Sequence, residues 1–486
     1  MGRSELTLSA ARQVSEKIST MLLSYGSYNQ HKWDQDADTF IDMPLVAHLN
    51  VLNRWKYDGE HSDGQLGIKI IHDNRDGGQT NFDFDHPQPS ASIYGSRNRI
   101  NRYEFFSKAG TLLGHNGSSL GLILSGSHHR QDSFWGMKSY SGDETGVYAN
   151  LIYEKIGLNH SFSSGLSYRF DNRDETYQEA SYITDERVPG LFFEYTYKLQ
   201  EKLTAMAGFR YDHHNIYGPF TTPRFHLKFQ PDAETSVRLS AGKGYRVPHI
   251  FMDNPGILAS SRTLIEVESL KAEEAWNAGV QVIRDFRLGA DYPATLTVDF
   301  YRTEFQNQVV VDMEQNAQTI MLYNLNGRSY SNSAQAELTA TVAKGLSITT
   351  AYRLNDVKTT YMGMLEELPL NAKHKGLLVT SYTLPKDKWR LDFTAQFNGS
   401  TRLPNTSMNP LEYRLDSFSP NYVLLFAQIT RKMSRMDIYA GVENITDYRQ
   451  PMPILAWNDP FSPYFDSSLI WGPTVGRRFY FGLRWN

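Results

Sequence analysis

Arg477-Arg478-Phe479-Tyr480-Phe481-Gly482-Leu483-Arg484-Trp485-Asn486 is the last stretch of the sequence, and in it Phe479, Phe481, Leu483 and Trp485 alternate with Arg478, Tyr480, Gly482 and Arg484. A period of two makes one face of a strand aromatic and the other polar. Soluble domains usually fray at their ends, so a soluble sandwich would rarely put its most aromatic strand there. A membrane barrel would, because that strand closes the wall with its aromatic face in lipid.

The pattern recurs upstream. Trp389, Leu391, Phe393, Ala395 and Phe397 interleave with Arg390, Asp392, Thr394, Gln396 and Asn398. Leu346, Ile348, Thr350, Tyr352 and Leu354 do the same, as do Leu296, Val298 and Phe300, and Val237, Leu239 and Ala241. Segments of roughly ten residues with one apolar and one polar face are the mark of an outer-membrane strand.

Composition agrees. The 486 residues would suggest several soluble domains, yet one large barrel uses that length by itself. Hydrophobic residues make up 40% and the mean hydropathy is -0.49, which suits a wall whose lipid face takes only every second residue. No run approaches the roughly 18 apolar residues of a membrane helix; the longest, such as 120–124 and 422–427, are strand-sized. Aromatics at 13%, with 29 Tyr, 26 Phe and 8 Trp, fit two interfacial girdles. The competing reading of composition alone is an aromatic-rich soluble all-β protein. A net charge of -4 argues against a nucleic-acid surface, and the absence of Cys excludes disulfides and thiolate metal sites. Residues 1–4 have no apolar segment after Arg3, so they are not a secretory signal.

Loop signals predict roughly twenty strands joined by connections that alternate between short and long. The links at 200–201, 231–234, 343–345, 385–388 and 431–435 are tight, whereas 212–220, 246–269, 304–327, 355–371, 399–421 and 447–475 are long. Towards the N-terminus, 74–96 and 128–144 read as further long loops, 114–118 as a short turn, and 5–10 as part of a strand entering a turn at 12–17. Such asymmetry predicts a transmembrane antiparallel β-barrel with short periplasmic turns and long extracellular loops. A propeller would show a repeat of about forty residues, and none is present.

Motifs in this framework carry a resemblance. Ala241-Gly242-Lys243-Gly244-Tyr245-Arg246-Val247-Pro248-His249, then Asn254-Pro255-Gly256, then Leu270-Lys271-Ala272-Glu273, resembles the mid-barrel region of TonB-dependent outer-membrane receptors. Tyr439-Ala440-Gly441-Val442-Glu443-Asn444-Ile445-Thr446-Asp447-Tyr448 resembles the family's penultimate-strand box, and Gly472 to Arg477 fits the approach to the final strand. The resemblance implies one barrel over residues 1–486, of about 22 strands when complete. It also implies an N-terminal plug domain and a TonB-engaging segment. Nothing before Glu16 matches either, so the plug and the first wall strand are expected to be missing. The implied function is active uptake of a scarce ligand, such as a ferric siderophore, cobalamin, haem or a similar chelate, across the bacterial outer membrane. The implied partners are the TonB complex, engaged through the plug, outer-membrane lipid and the small chelated ligand, with no cofactor.

Expected ligand-binding residues are Tyr245, Arg246 and His249 at the strand exit, and Trp457, Phe461 and Tyr464 in the last long loop, whose aromatics either stack on a bulky ligand or fold the loop on itself. Tyr245 to Pro248 and Asn254 to Ile257 are loosely similar to two boxes of haem-uptake receptors, with His249 between them. On the plainer reading Pro248 stiffens the strand exit and His249 is a solvated loop residue. His128-His129 and His213-His214 sit at outer strand ends; neighbours on a strand face opposite ways, so each pair offers the lumen one ring, and the pairs read as surface histidines. No nucleophile elbow, phosphate loop or spaced metal-ligand motif is present, so no catalytic or metal residue is expected. A passive porin is the alternative function, and a rim-site barrel enzyme a more distant one.

Overall fold

The computed structural model describes residues 2–114, 117–289, 291–386 and 388–485. Parts of the expected turns at 114–118 and 385–388, and Asn486 of the final stretch, lie outside the described residues. One sheet of 23 strands dominates the fold. Two of these, Gly218–Thr221 and Met364–Glu367, only extend hairpins at the outer rim, which leaves 21 in the wall. These are β1 (Ser4–Ser15), β2 (Ile18–Asn29), β3 (Leu45–Asp58), β4 (Ser62–Gly78), β5 (Gly95–Leu112), β6 (Ser118–Trp135), β7 (Lys138–Ile156), β8 (His160–Tyr177), β9 (Ala180–Leu199) and β10 (Leu203–His214). They continue as β11 (Arg224–Asp232), β12 (Thr235–Arg246), β13 (Glu273–Leu288), β14 (Tyr292–Asn307), β15 (Ser329–Ala343), β16 (Leu346–Tyr361), β17 (His374–Thr383), β18 (Trp389–Asn398), β19 (Tyr422–Lys432), β20 (Met436–Glu443) and β21 (Arg478–Trp485). Each pairs antiparallel with the next, a continuous meander. No described helix is long and apolar enough to cross a membrane; this wall crosses with strands.

Alternation puts the large apolar side chains outside. Ile68, Phe105, Val147 and Phe170 fall in one register row across β4 to β8, with Gly126 between Phe105 and Val147. The Phe105 ring lies over Gly126 so closely that a Cβ there would meet it at 2.4 Å, which fills the gap the glycine leaves. Ile68, Phe105 and Val147 are 56%, 45% and 43% exposed. A patch of that extent is unsustainable in water and natural against acyl chains.

The N-terminal half departs from the expected loop pattern. Residues 128–144 are strand: β6 and β7 meet at Gly136-Met137, where Gly136 takes φ 57°. Likewise β8 and β9 meet at Gln178-Glu179. The strands of these hairpins, 18 to 20 residues each, far exceed the roughly 9 to 11 residues a membrane strand needs. Above the bilayer both faces are polar, so the apolar alternation fades and the segment reads as loop although the ladder continues. For the same reason β4 and β5 narrow the expected loop at 74–96 to 79–94, and β14 and β16 continue into two expected loops; at the other end of the wall β1 runs on to Ser15, which shortens the turn expected at 12–17 to 16–17.

The packed core sits among the outer loops. Phe40, Tyr94 and Phe465 form one buried cluster, Tyr177, Phe251 and Leu258 a second, and Ile257, Ile320 and Leu322 a third. Together they build a structured cap. In its first segment, residues 30–44, Asp38 is buried and accepts the Phe40 amide at 2.8 Å, while Asp42 accepts the Gln35 amide at 3.0 Å. Burial pushes the Asp38 carboxyl up to about 7. Burial, helped by the nearby carboxylates Asp36 and Asp34, pushes Asp42 up to about 6. Raised carboxyls bind protons more tightly in the packed loop, so their stabilisation is complete below about pH 4 and is lost as pH rises through 6 and 7. Hydrogen exchange at Phe40 should therefore report on the order of a hundredfold less local opening at pH 5 than at pH 8, after correction for intrinsic rates. Asp38→Asn should flatten that dependence.

Candidate functional site

Two recesses lie at the outer end of the barrel. The outer one, about 760 Å³, opens between the tips of the β6/β7 and β8/β9 hairpins and is walled by Lys138, Tyr177, Tyr182, Arg262 and Glu266. The inner one, about 490 Å³, is lined by Tyr148, Arg169, Arg210, Asp212, Tyr245, Arg246, His249 and Asp253. Both volumes suit a ligand of several hundred daltons. Arg169, Arg210 and Asp212 face inward because they alternate with the exposed Leu166, Tyr168 and Phe209.

The structure brings Tyr245, Arg246 and His249 together on the inner recess. Tyr245 stacks on Phe220 with ring centres 3.9 Å apart and planes 8° apart, and its hydroxyl donates to Asp212 at 3.2 Å. Arg246 pairs with Glu273 at 2.6 Å and Asp253 at 3.1 Å, with over half of its side chain exposed. His249 is not solvated, contrary to the plainer reading: its Nε2 meets Glu186 Oε1 at 3.0 Å, which turns that nitrogen away from any ligand. The cations of the recess are already matched by carboxylates, since Arg210 faces Asp212 at 2.7 Å and Arg169 faces Asp171 at 2.9 Å. The inner recess is thus lined by a preorganised polar network.

Trp457, Phe461 and Tyr464 are not among the residues lining either recess. Trp457 packs on the Phe40, Tyr94 and Phe465 cluster. The Phe461 ring lies 6.0 Å from Tyr94 and the Tyr464 ring 5.7 Å from Tyr413. In this arrangement they fold the last loop onto the cap. Of the histidine pairs, His128 and His213 are exposed as surface histidines, and His129 is half-buried. His214 corrects that reading, being fully buried with Nε2 3.4 Å from Glu186.

Sequence reasoning missed Glu186, Arg169, Arg173 and Asp212. A signal was present: Arg169, Asp171 and Arg173 in β8, and Arg210, Asp212 and His214 in β10, place charge at three successive inward positions. Asp34, Asp36 and Asp42 bring one carboxylate oxygen each within 4.8 Å of one another, a loop cluster of a kind common without any ion.

The sequence profile of the TonB dependent receptor-like β-barrel matches residues 17–445. The chain belongs to that family. It is therefore a bacterial outer-membrane barrel of the ligand-uptake class, and the family's members are transporters, not enzymes. The receptor barrel is similar to the siderophore receptor PirA from Pseudomonas aeruginosa, with TM-score 0.65, 13% identity and coverage of 99% of this chain and 76% of that one. It is similar to the ferric enterobactin receptor PfeA from the same organism, with TM-score 0.69, 14% identity and coverage of 99% and 78%. A third match is the FpvAI–pyocin S2 complex, with TM-score 0.71, 13% identity and coverage of 99% and 68%. At such identities these likenesses concern the fold alone. No functionally curated protein matches the receptor barrel by sequence.

Proposed function

We propose that the receptor barrel takes up a bulky ferric chelate of the siderophore class, bound first under the cap and then in the inner recess. The observation that carries this reading is the cap itself: outer loops packed into buried clusters, with two recesses at the same end of the barrel. A diffusion porin is served by an unobstructed mouth, whereas a capture receptor needs preorganised contacts. The fold neighbours named for ferric siderophores support the same class. Arg246 is the recess side chain most available to the ligand, with Tyr245 and His249 holding its surroundings. The test is growth of an iron-starved, receptor-deficient strain carrying the full-length gene on single ferric chelates, haem or cobalamin. Rescue by a ferric siderophore supports the reading; ion conductance without ligand, and no rescue, would favour the porin.

We further propose that TonB supplies the energy through a plug domain, and that one more strand completes the wall. Both β1 and β21 run toward the end with short turns, and no ladder joins them among the described residues. Two parallel edges close an antiparallel barrel only through an odd number of intervening strands, and one gives about 22. Unpaired edges in hydrocarbon cost several kcal/mol per group. The 486 residues refolded alone in detergent should therefore give no compact band that shifts on boiling, and an added upstream strand and plug should restore it. A heat-sensitive band from the 486 residues alone would show that the two edges meet without help.

A further inference from the structure

The segment between β12 and β13, residues 247–272, borders both recesses. Ser261, Arg262 and Leu264 wall the outer one, while Val247, His249 and Met252 line the inner one. It is therefore a partition shared by the two recesses. Its later part is tied to the last loop by the Arg262–Asp466 pair at 2.8 Å and to residues 319–322 by a short parallel ladder, and further contacts hold the part nearer the recesses. Phe251 and Leu258 pack on Tyr177. Lys138 Nζ donates to the backbone carbonyls of Ser260 at 2.6 Å and Arg262 at 2.8 Å. Near its start, the side chain of His249 reaches Glu186 on β9.

Glu186 is fully buried and carries four partners. Arg173 Nη1 donates at 3.1 Å and Arg169 Nη2 at 3.2 Å, both from β8. His214 of β10 accepts the Ile216 amide on Nδ1 at 3.1 Å, so its proton sits on Nε2, which faces the carboxylate at 3.4 Å. Only the fourth partner, His249, belongs to the partition. One carboxylate thus joins the movable segment to Arg169, which itself lines the inner recess. On the wall side Arg169 Nε lies 2.9 Å from Asp171 and Arg173 Nε 3.6 Å from Glu144, while the His214 contact with Glu186, at 3.4 Å, is long for a hydrogen bond. Long buried contacts gain less than well-formed ones, which lowers the cost of an alternative arrangement in which the segment lifts and water or a ligand completes the network.

We propose that the Glu186–His249 contact is a latch that holds the partition between the two recesses, and that its release opens the way from the outer recess to the inner. The purpose of the latch rests on the uptake reading above; its existence does not. Glu186 acts as a positioning residue.

The chain has no cysteine, and Ser260 is only 2% exposed with an Oγ that has no hydrogen-bond partner. Ser260→Cys is therefore a nearly isosteric reporter, reachable only when the partition lifts. In the full-length receptor on intact cells, a membrane-impermeant maleimide should label Cys at 260 slowly. Adding His249→Ala should speed labelling at least about tenfold, Glu186→Ala similarly, and the two together no further, as for two halves of one contact. His249→Gln, whose amide still donates to Glu186, should stay slow. Met137→Cys, at a residue 59% exposed, normalises for surface amount, and unchanged heat-modifiable mobility confirms the fold of each variant. Unchanged labelling in His249→Ala, a fast His249→Gln, or additive effects in the double variant would overturn the latch. Faster labelling in a receptor that imports no iron chelate would uphold the latch and remove the uptake reading.

Discussion

Asp466→Ala should loosen the last loop from the cap at a cost of about 3 to 5 kcal/mol, the range for stripping one partner from a buried ion pair. Arg262 and Asp466 are each only 2% exposed and meet at 2.8 Å although 204 positions apart. The other carboxylate oxygen of Asp466 accepts the amide and hydroxyl of Ser468 at 2.8 and 2.6 Å. Removing the carboxylate leaves the Arg262 guanidinium buried and without a counter-ion, and its Nη1 already lacks a partner. The loss should be local: protease cleavage within residues 444–477 and faster exchange at Ser261, whose amide donates to the Phe465 carbonyl at 2.8 Å, with the wall ladder unchanged. Combining Arg262→Met with Asp466→Ala should recover most of the protection, because an apolar side chain replaces the stranded charge. Equal susceptibility in the single and double variants would show that cap cohesion depends on its aromatic clusters instead.

Phe393→Arg should cost about 2 to 4 kcal/mol, the price of a cation on the lipid face near the bilayer midplane, while Thr394→Arg should cost under about 1. Phe393 is central in β18, 37% exposed, in register with Thr380 and Ala427. At the inner end of the same strand the Arg431 guanidinium lies 4.7 Å over the Trp389 ring, an interfacial arrangement that fixes the strand's depth. Thr394 faces the other way, into the lumen, where water solvates a new guanidinium. Denaturant unfolding of both variants in lipid vesicles gives the comparison. Equal destabilisation at the two positions would invert or abolish the assignment of faces.

The cap and the recess were legible to different degrees. Tyr245, Arg246 and His249 stood out because they cluster in sequence at a strand exit, and they do share one recess. Trp457, Phe461 and Tyr464 stood out as aromatics in a long loop, and they pack beside Phe40, Tyr94, Phe465 and Tyr413 while Phe461 stays 38% exposed. No local pattern distinguishes an aromatic free for a ligand from one that packs against a distant loop.

What the sequence by itself determined is the wall. Period-two alternation is a property of neighbouring residues, so Phe393 against Thr394, or Phe479 to Trp485 against their partners, specify two faces and hence the bilayer without reference to any distant contact. The tertiary structure alone decided the site. Glu186 meets Arg173, His214 and His249 at separations of 13, 28 and 63 positions, distances set by how β8, β9 and β10 align across the ladder and how the segment after β12 folds back. A buried carboxylate is selected by the company it keeps after folding, and an isolated Glu in a polar strand carries no mark of that company beforehand.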